Sequence, residues 1–350
     1  MDKIFAPEYF DRIFRFLPTN KDLHSCLLVN KHWATCAVPI LWEAPFRIDD
    51  KHIPSHKVIR TYLAFIPDST FRKLGYNRIG LSNSRPLFFN YPYFLKELTY
   101  DQFLNAAISN NCSEDIIIEL FKLLAKNNVK LRRLEIYNCL NNYPENLGYL
   151  VLLHFYECTS VYSRLTYFNC SYQLPMQKTQ LFNAIAKYCH NIKILKVSIY
   201  DKNEGIALEG LIRSQRNLKK FTLINSNNFA SFPIQALMNQ IHSLDSLAFE
   251  DMHCNHGLSK TKFFNYGICQ LNSSAIDVLA QCTKINKVKF KHCEGLNSSL
   301  FLPLAIAFPN LTSLEYTYGT YNICDSTTPF RLLSGLIVTS CNTLKRIILD

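Results

Sequence analysis

The chain has 350 residues, with 38 Lys and Arg against 27 Asp and Glu, and a formal net charge of +11. Hydrophobic residues make up 48% and charged residues 19%, which excludes wholesale disorder, because disordered chains are poor in apolar side chains and rich in charge. The length suits two or so domains, or a repeat array joined to a small module.

The first turns carry Asp2, Lys3, Glu8, Asp11 and Arg12, which leaves no apolar stretch for a signal peptide. Residues 4–42 predict three short helices. Tyr9, Phe10, Ile13, Phe14 and Leu17 recur at helical spacing, and Pro18 stops the pattern, since a residue before proline avoids the helical region. A second helix begins near Asp22 with Asn20 as its candidate cap, and buries Leu23, Cys26 and Leu27. A third runs through Val29, Trp33 and Ala37 to Pro39. Three such helices are too small to close a core alone, so the module must pack on a neighbour or a partner.

The order Pro7-Glu8, then Ile-Phe-x-x-Leu-Pro at 13–18, then Asp-Leu-x-x-Cys-x-x-Val-x-x-x-Trp at 22–33, then Leu41-Trp42 resembles the F-box. The start departs from the family pattern, with Phe5 for its leucine and Ala6 for its first proline. The resemblance implies docking to the SKP-type adaptor of an SCF cullin–RING ubiquitin ligase, apolar side chains at helical spacing entering a complementary surface. By position it assigns adaptor contact to Phe5, Pro7, Ile13, Leu17, Pro18, Leu23, Val29 and Trp33. Internal packing of the three helices competes for the same residues, most evenly for Ile13 and Val29.

Residues 45–112 read as a helical and irregular linker and repeat cap. A helix is expected over 58–65, then proline and glycine punctuation at Pro67, Gly75, Gly80, Pro86 and Pro92, then the aromatic run LFFNYPYFLKELTY. Those rings are expected to cap the first repeat.

From 113 to 350 the pattern L-x-x-L-x-L recurs, starting at Leu131, Leu165, Ile192, Leu218, Leu244, Ile285, Leu311 and Leu344, each strand preceded by a helical stretch. Spacings cluster near 26 residues, with a long interval between Leu244 and Ile285 that leaves an insertion at 251–271. The array resembles leucine-rich repeats of the cysteine-containing subtype, where Cys189, Cys282 and Cys341 each stand three residues before the first strand leucine or isoleucine, and Cys139 and Cys293 take the position after the strand. The fold expected from the whole chain is α/β: a three-helix F-box (1–44), the linker (45–112), and a curved leucine-rich-repeat solenoid with a parallel concave sheet and helices on the convex side.

Side chains alternate along a strand, so the residues between the leucines face a partner. The candidate substrate contacts are Arg133, Tyr137, Tyr167, Lys196, Lys220, Lys287, Lys289 and Lys291, the last three a column of lysines on one strand that suits an acidic or phosphorylated segment. All the charge excess lies here: residues 1–50 carry a net −1 and residues 51–350 a net +12.

The longest clearly apolar uncharged stretch, 300–308, is broken by Pro303 and closed by Pro309, whereas a spanning helix needs about 20 apolar residues. The 13 cysteines include no C-x-x-C pair, which fits reduced thiols in the cytosol or nucleus. His253, Cys254 and His256 with Cys269 lack the paired spacing of a structural zinc site, and Cys324 beside Asp325 lacks a positioned base. No metal or cofactor is expected and no catalytic residue is assigned. The leading expectation is a non-catalytic substrate receptor, reaching cullin and RING protein through the adaptor. A non-SCF scaffold or sensor is the alternative. A nucleic-acid-binding repeat protein ranks below both, because the lysines are dispersed without a basic run.

Overall fold

The computed structural model describes residues 7–47, 55–74, 87–137, 159–171, 175–224, 231–250, 273–291, 308–317 and 328–349. It is α/β and divides into two compact units, Met1–Leu165 and Thr166–Asp350.

The first unit opens with three helices, α1 (Pro7–Arg15), α2 (Asn20–Leu27) and α3 (Lys31–Leu41). Phe14, Leu23, Cys26, Cys36 and Ala37 form their core, with Phe10, Leu17, Leu27 and Trp33 packed against it. Thr19, one residue ahead of the expected Asn20, caps α2. Its hydroxyl accepts from the Asp22 amide at 3.2 Å while the Asp22 carboxylate accepts from the Thr19 amide at 3.1 Å, a reciprocal capping box. Asn30 caps α3 through the Trp33 amide, so Val29 lies in the turn and not in the helix. α3 passes Pro39 and ends at Leu41, two residues beyond the expected stop.

Two short helices, α4 (Ser55–Leu63) and α5 (Asp68–Lys73), and a 3-10 turn at Tyr91–Phe94 follow. Rings join them: Trp42 lies 4.4 Å from Tyr91 and 5.8 Å from Tyr62, and Phe46 lies 5.3 Å from Phe103. Strand β1 (Glu97–Thr99) leads into α6 (Tyr100–Ser109), α7 (Glu114–Lys126) and β2 (Arg133–Ile136). Each of these two helices ends on an asparagine at positive φ, Asn111 and Asn128, and the Cys112 and Val129 amides return to the Ala107 and Leu124 carbonyls, closing the last turns as a left-handed cap allows. β1 and β2 pair in parallel, Leu98 opposite Leu134.

In the second unit, strands β3 (Tyr167–Cys170), β4 (Ile194–Ser198), β5 (Lys220–Ile224), β6 (Ser246–Glu250), β7 (Lys287–Lys291), β8 (Ser313–Thr317) and β9 (Arg346–Leu349) pair in parallel in sequence order. Between them come α8 (Pro175–Tyr188), α9 (Lys202–Ser214), α10 (Ser231–Ala236), α11 (Ser273–Gln281) and α12 (Thr328–Thr339). Strand-to-strand connections through a helix are what parallel pairing requires. The first two apolar residues of the repeat motifs are buried at Ile192 and Leu195, Leu218 and Phe221, and Leu311 and Leu314, each fully buried side chain contributing about 1.5–3 kcal/mol, whereas in the motif at Leu344 that leucine is half-buried and Ile347 is exposed.

The turns into the strands repeat one bond pattern. The carbonyl one residue before a strand accepts two successive amides of the next segment: Lys96 from Arg132 and Arg133, Thr166 from Lys193 and Ile194, Lys193 from Lys219 and Lys220, Lys219 from Asp245 and Ser246, Asn286 from Thr312 and Ser313. Buried polar side chains finish the turns. Gln215 accepts from the Ile192 amide and donates to the Cys189 carbonyl, and Gln240 accepts from the Leu218 amide and donates to the Ile212 and Gln215 carbonyls. Cys189 and Cys282 are buried in the corresponding turns. Cys341 is exposed, because Ser340 takes the buried place and donates to the Phe308 carbonyl at 3.1 Å. No helix among the described residues is long and apolar enough to cross a membrane.

Candidate functional site

The residues expected to contact an adaptor separate into three groups. Leu23 is buried in the three-helix core, and Leu17 and Trp33 are half-buried against it; the Trp33 ring lies 5.4 Å from Phe10 and 5.3 Å from Phe14. Their side chains hold the helices together, and Leu23 offers no surface to a partner. Ile13, Pro18 and Val29 are exposed. Pro7 begins α1, and Phe5 lies outside the described residues.

Exposure extends past the expected positions. Phe16 and Leu28 are each 88% exposed, and Tyr9, Ile13 and Val29 are more than half exposed. Tyr9 and Ile13 stand at i and i+4 on one face of α1, Phe16 lies in the turn that directly follows that helix, and Leu28 and Val29 form the turn into α3. The core cluster includes none of these five. Phe16 and Leu28 were not singled out by the sequence reading.

This module is bound firmly to the strand that follows. The Glu43 carbonyl accepts from the Lys96 and Glu97 amides at 2.8 and 2.9 Å, the same two-amide pattern that joins one strand turn to the next. The Glu43 side chain is nearly buried, meets Arg15 at 3.0 Å and Lys96 at 3.6 Å, and also pairs with Arg132.

The second candidate surface is the sheet face between the buried columns. In the first unit Arg133 pairs with Glu135 at 2.5 Å, and Tyr137, half-buried, donates its amide to Asp101. Glu135 is itself buried, so this patch is smaller than the alternation predicts. In the second unit three rows run across the strands. The first holds Tyr167, Ile194, Lys220, Ser246, Lys287, Ser313 and Arg346 in register; Lys220, Lys287 and Arg346 are exposed and form no ion pair among the described residues. The second holds Lys196 and Lys289, which are engaged by Glu250 at 2.6 Å and Glu315 at 2.5 Å. Lys291, in the third row, stands in register with Glu250. The lysine column of β7 therefore has one exposed member at its N-terminal end and two beside carboxylates. Asn169, Ser198 and Ala248, expected on the open face, are buried.

The insertion at 251–271 with His253, Cys254, His256 and Cys269, the strand-end Cys139 and Cys293, and Cys324 with Asp325 lie outside the described residues. Among the described residues no cluster of His, Cys, Asp and Glu could hold a metal ion. In comparisons with known proteins, no family model matches the chain and no curated protein matches it.

Proposed function

We propose that the chain is the substrate-recognition subunit of an SCF-type cullin–RING ubiquitin ligase, its three-helix module an F-box that docks on the SKP-type adaptor and its strand–helix units leucine-rich repeats that hold a substrate. The observation that carries the reading is the set of apolar side chains Tyr9, Ile13, Phe16, Leu28 and Val29, exposed on a module whose core cluster does not include them. Exposed apolar surface of this kind marks an interaction site, and Ile13 and Val29 fall at motif positions of the F-box resemblance. The Glu43 joint supports the same reading, since a receptor that works by presenting a substrate to a partner enzyme gains from a stiff link behind its docking module. In this reading the chain performs no chemistry itself.

The substrate face follows from the first row of the second unit. Lys220, Lys287 and Arg346 sit on alternate strands, about 10 Å apart at the usual strand spacing. An acidic or phosphorylated segment crossing the strands would meet one cation at every second strand.

The test is co-purification with an SKP-type adaptor. Wild type binds, and Ile13→Asp with Val29→Asp loses binding by about a hundredfold, as a charge in a desolvated hot spot should, while far-UV circular dichroism stays unchanged. Equal binding by wild type and variant overturns the interface, and absence of binding by wild type overturns the F-box reading. Lys220→Glu with Lys287→Glu keeps adaptor binding and loses substrates captured from proteasome-blocked cells.

A further inference from the structure

We propose that a cleft in the first unit, distinct from both surfaces above, binds a small polyphosphorylated anion. The cleft has a volume of about 430 Å³, within the range of roughly 300–1,000 Å³ typical of small-molecule sites. Three segments bring four cations to it: Lys96 ahead of β1, Lys130 and Arg132 ahead of β2, and Arg164 ahead of β3, with Tyr93 and Asn128 also lining it. No acidic side chain among the described residues lines it.

Behind the cleft, one carboxylate serves several cations. Glu43 is a single carboxylate shared by Lys96, Arg132 and Arg15, and Arg15 is further paired with Asp11. Lys130 donates to the Ser163 hydroxyl at 3.4 Å, and no carboxylate among the described residues pairs with Lys130 or Arg164. Burial, and then the Arg15 charge, hold both Lys96 and Arg132 below their ordinary pKa values. Asn128 holds its left-handed conformation at φ 55° at the end of α7, which sets the direction of the segment carrying Lys130 and Arg132.

A phosphate group offers several charged acceptors to such a cluster, and arginine grips it in a fork. Four cations converging on one small volume suit a ligand with two or more phosphates close together. A polymer would instead call for a basic track continuing across the surface. The ligand would tie together the segments that carry Lys96, Lys130 with Arg132, and Arg164, the first two of which Glu43 also joins. This inference does not depend on the adaptor reading.

The experiment is isothermal titration of the full chain with inorganic tripolyphosphate, with sulfate at matched ionic strength as the comparison. Tripolyphosphate should bind one to one, weaken as salt rises, and raise the melting temperature by mass action. Lys130→Ala and Arg164→Ala leave the Glu43 network intact, so each should fold and each should weaken binding roughly tenfold, the worth of a charge-assisted hydrogen bond. Lys220→Ala in the second unit should bind as wild type. The proposal is overturned if tripolyphosphate gives neither heat nor a melting shift, if the Lys130→Ala/Arg164→Ala double variant binds it as well as wild type, or if a doubly phosphorylated peptide binds where tripolyphosphate does not.

Discussion

Lys178→Met tests how the second unit tolerates buried charge. Lys178 and Glu204 are 1% and 0% exposed, 3.6 Å apart. The ammonium donates to the Ser198 hydroxyl at 3.1 Å and its carbonyl at 3.3 Å, and lies 4.2 Å from the Tyr200 ring centroid. One Glu204 oxygen accepts from the Tyr200 amide at 2.7 Å, and the other has no hydrogen-bond partner. Methionine keeps the length and apolar stem while removing the charge. Removing one member of a buried pair costs about 3–5 kcal/mol. Burial already holds the Glu204 carboxyl above its ordinary value of 4.5, so proton uptake relieves part of that cost. We expect about 3 kcal/mol at neutral pH, a fall of about 6–12 °C in melting temperature for a unit of this size. A carboxyl whose folded-state pKa is raised contributes stability below its unfolded pKa and loses it as pH rises through the folded value. The deficit of Lys178→Met should therefore be smallest near pH 4.5 and grow toward neutrality. Lys178→Met/Glu204→Gln keeps an acceptor for the Tyr200 amide, removes the stranded charge, and should recover more than half the loss with a flat pH profile. Far-UV circular dichroism melts across this pH range decide it. A loss below about 1 kcal/mol in the single variant, or a double variant no better than the single, refutes the reasoning.

Gln240→Leu takes its partner from the Leu218 amide and one bond each from the Ile212 and Gln215 carbonyls and should cost about 2–4 kcal/mol, read as a melting shift, whereas Gln235→Leu, at an exposed bond to Ser274, should cost almost nothing. Thr19→Ala removes the α2 cap and should cost about 1 kcal/mol in urea unfolding. Iodoacetamide followed by mass spectrometry should label exposed Cys341 well before Cys189 and Cys282, which are buried, with the Cys282 thiol pushed up to about 11 by burial; equal labelling rates would contradict the turn assignments.

The strands were legible because their signal is local. A strand begins two residues after the first motif position and ends one past the last at Ile194–Ser198, Lys220–Ile224, Ser246–Glu250, Lys287–Lys291 and Ser313–Thr317, and period-two alternation with an apolar anchor suffices to find it. β1 was missed for want of company. Leu95-x-x-Leu98 stands in the aromatic run as Leu131-x-x-Leu134 does in the next unit, and the two pair in register, but Tyr100 replaces the third leucine and the rings drew the eye to a cap. The turn residues failed differently. Spacing to the strand identifies Cys189 and Cys282, but the same buried turn is filled by Gln215, Gln240 and Ser340, polar groups that satisfy amides and carbonyls where a thiol only packs. Cys341 kept the spacing and lost the place, because Cys189 and Cys282 directly follow their helices whereas Ser340 directly follows α12 and Cys341 comes one residue later.

The candidate surfaces divide along the same line. Exposure of Ile13 and Val29 depends on where α1 and α3 pack, and helical spacing alone gives Leu23 and Ile13 equal claims. Spacing likewise gives Lys287, Lys289 and Lys291 equal claims, and only register separates them: Ser313 lies opposite the first, Glu315 beside the second, Glu250 beside the third. Charge in a repeated sheet is thus sorted by neighbours roughly 26 residues away, which composition averages over. Glu43 carries this furthest. In sequence it is one acid after a Leu-Trp pair. In the fold its carbonyl serves as the first rung of the turn ladder and its carboxylate gathers Arg15, Lys96 and Arg132. It joins the three-helix module to β1, and among the described residues no carboxylate pairs with Lys130 or Arg164. The joint and the cation cleft are therefore two consequences of one placement: a single buried acid is enough to fix the module and too little to neutralise what it fixes.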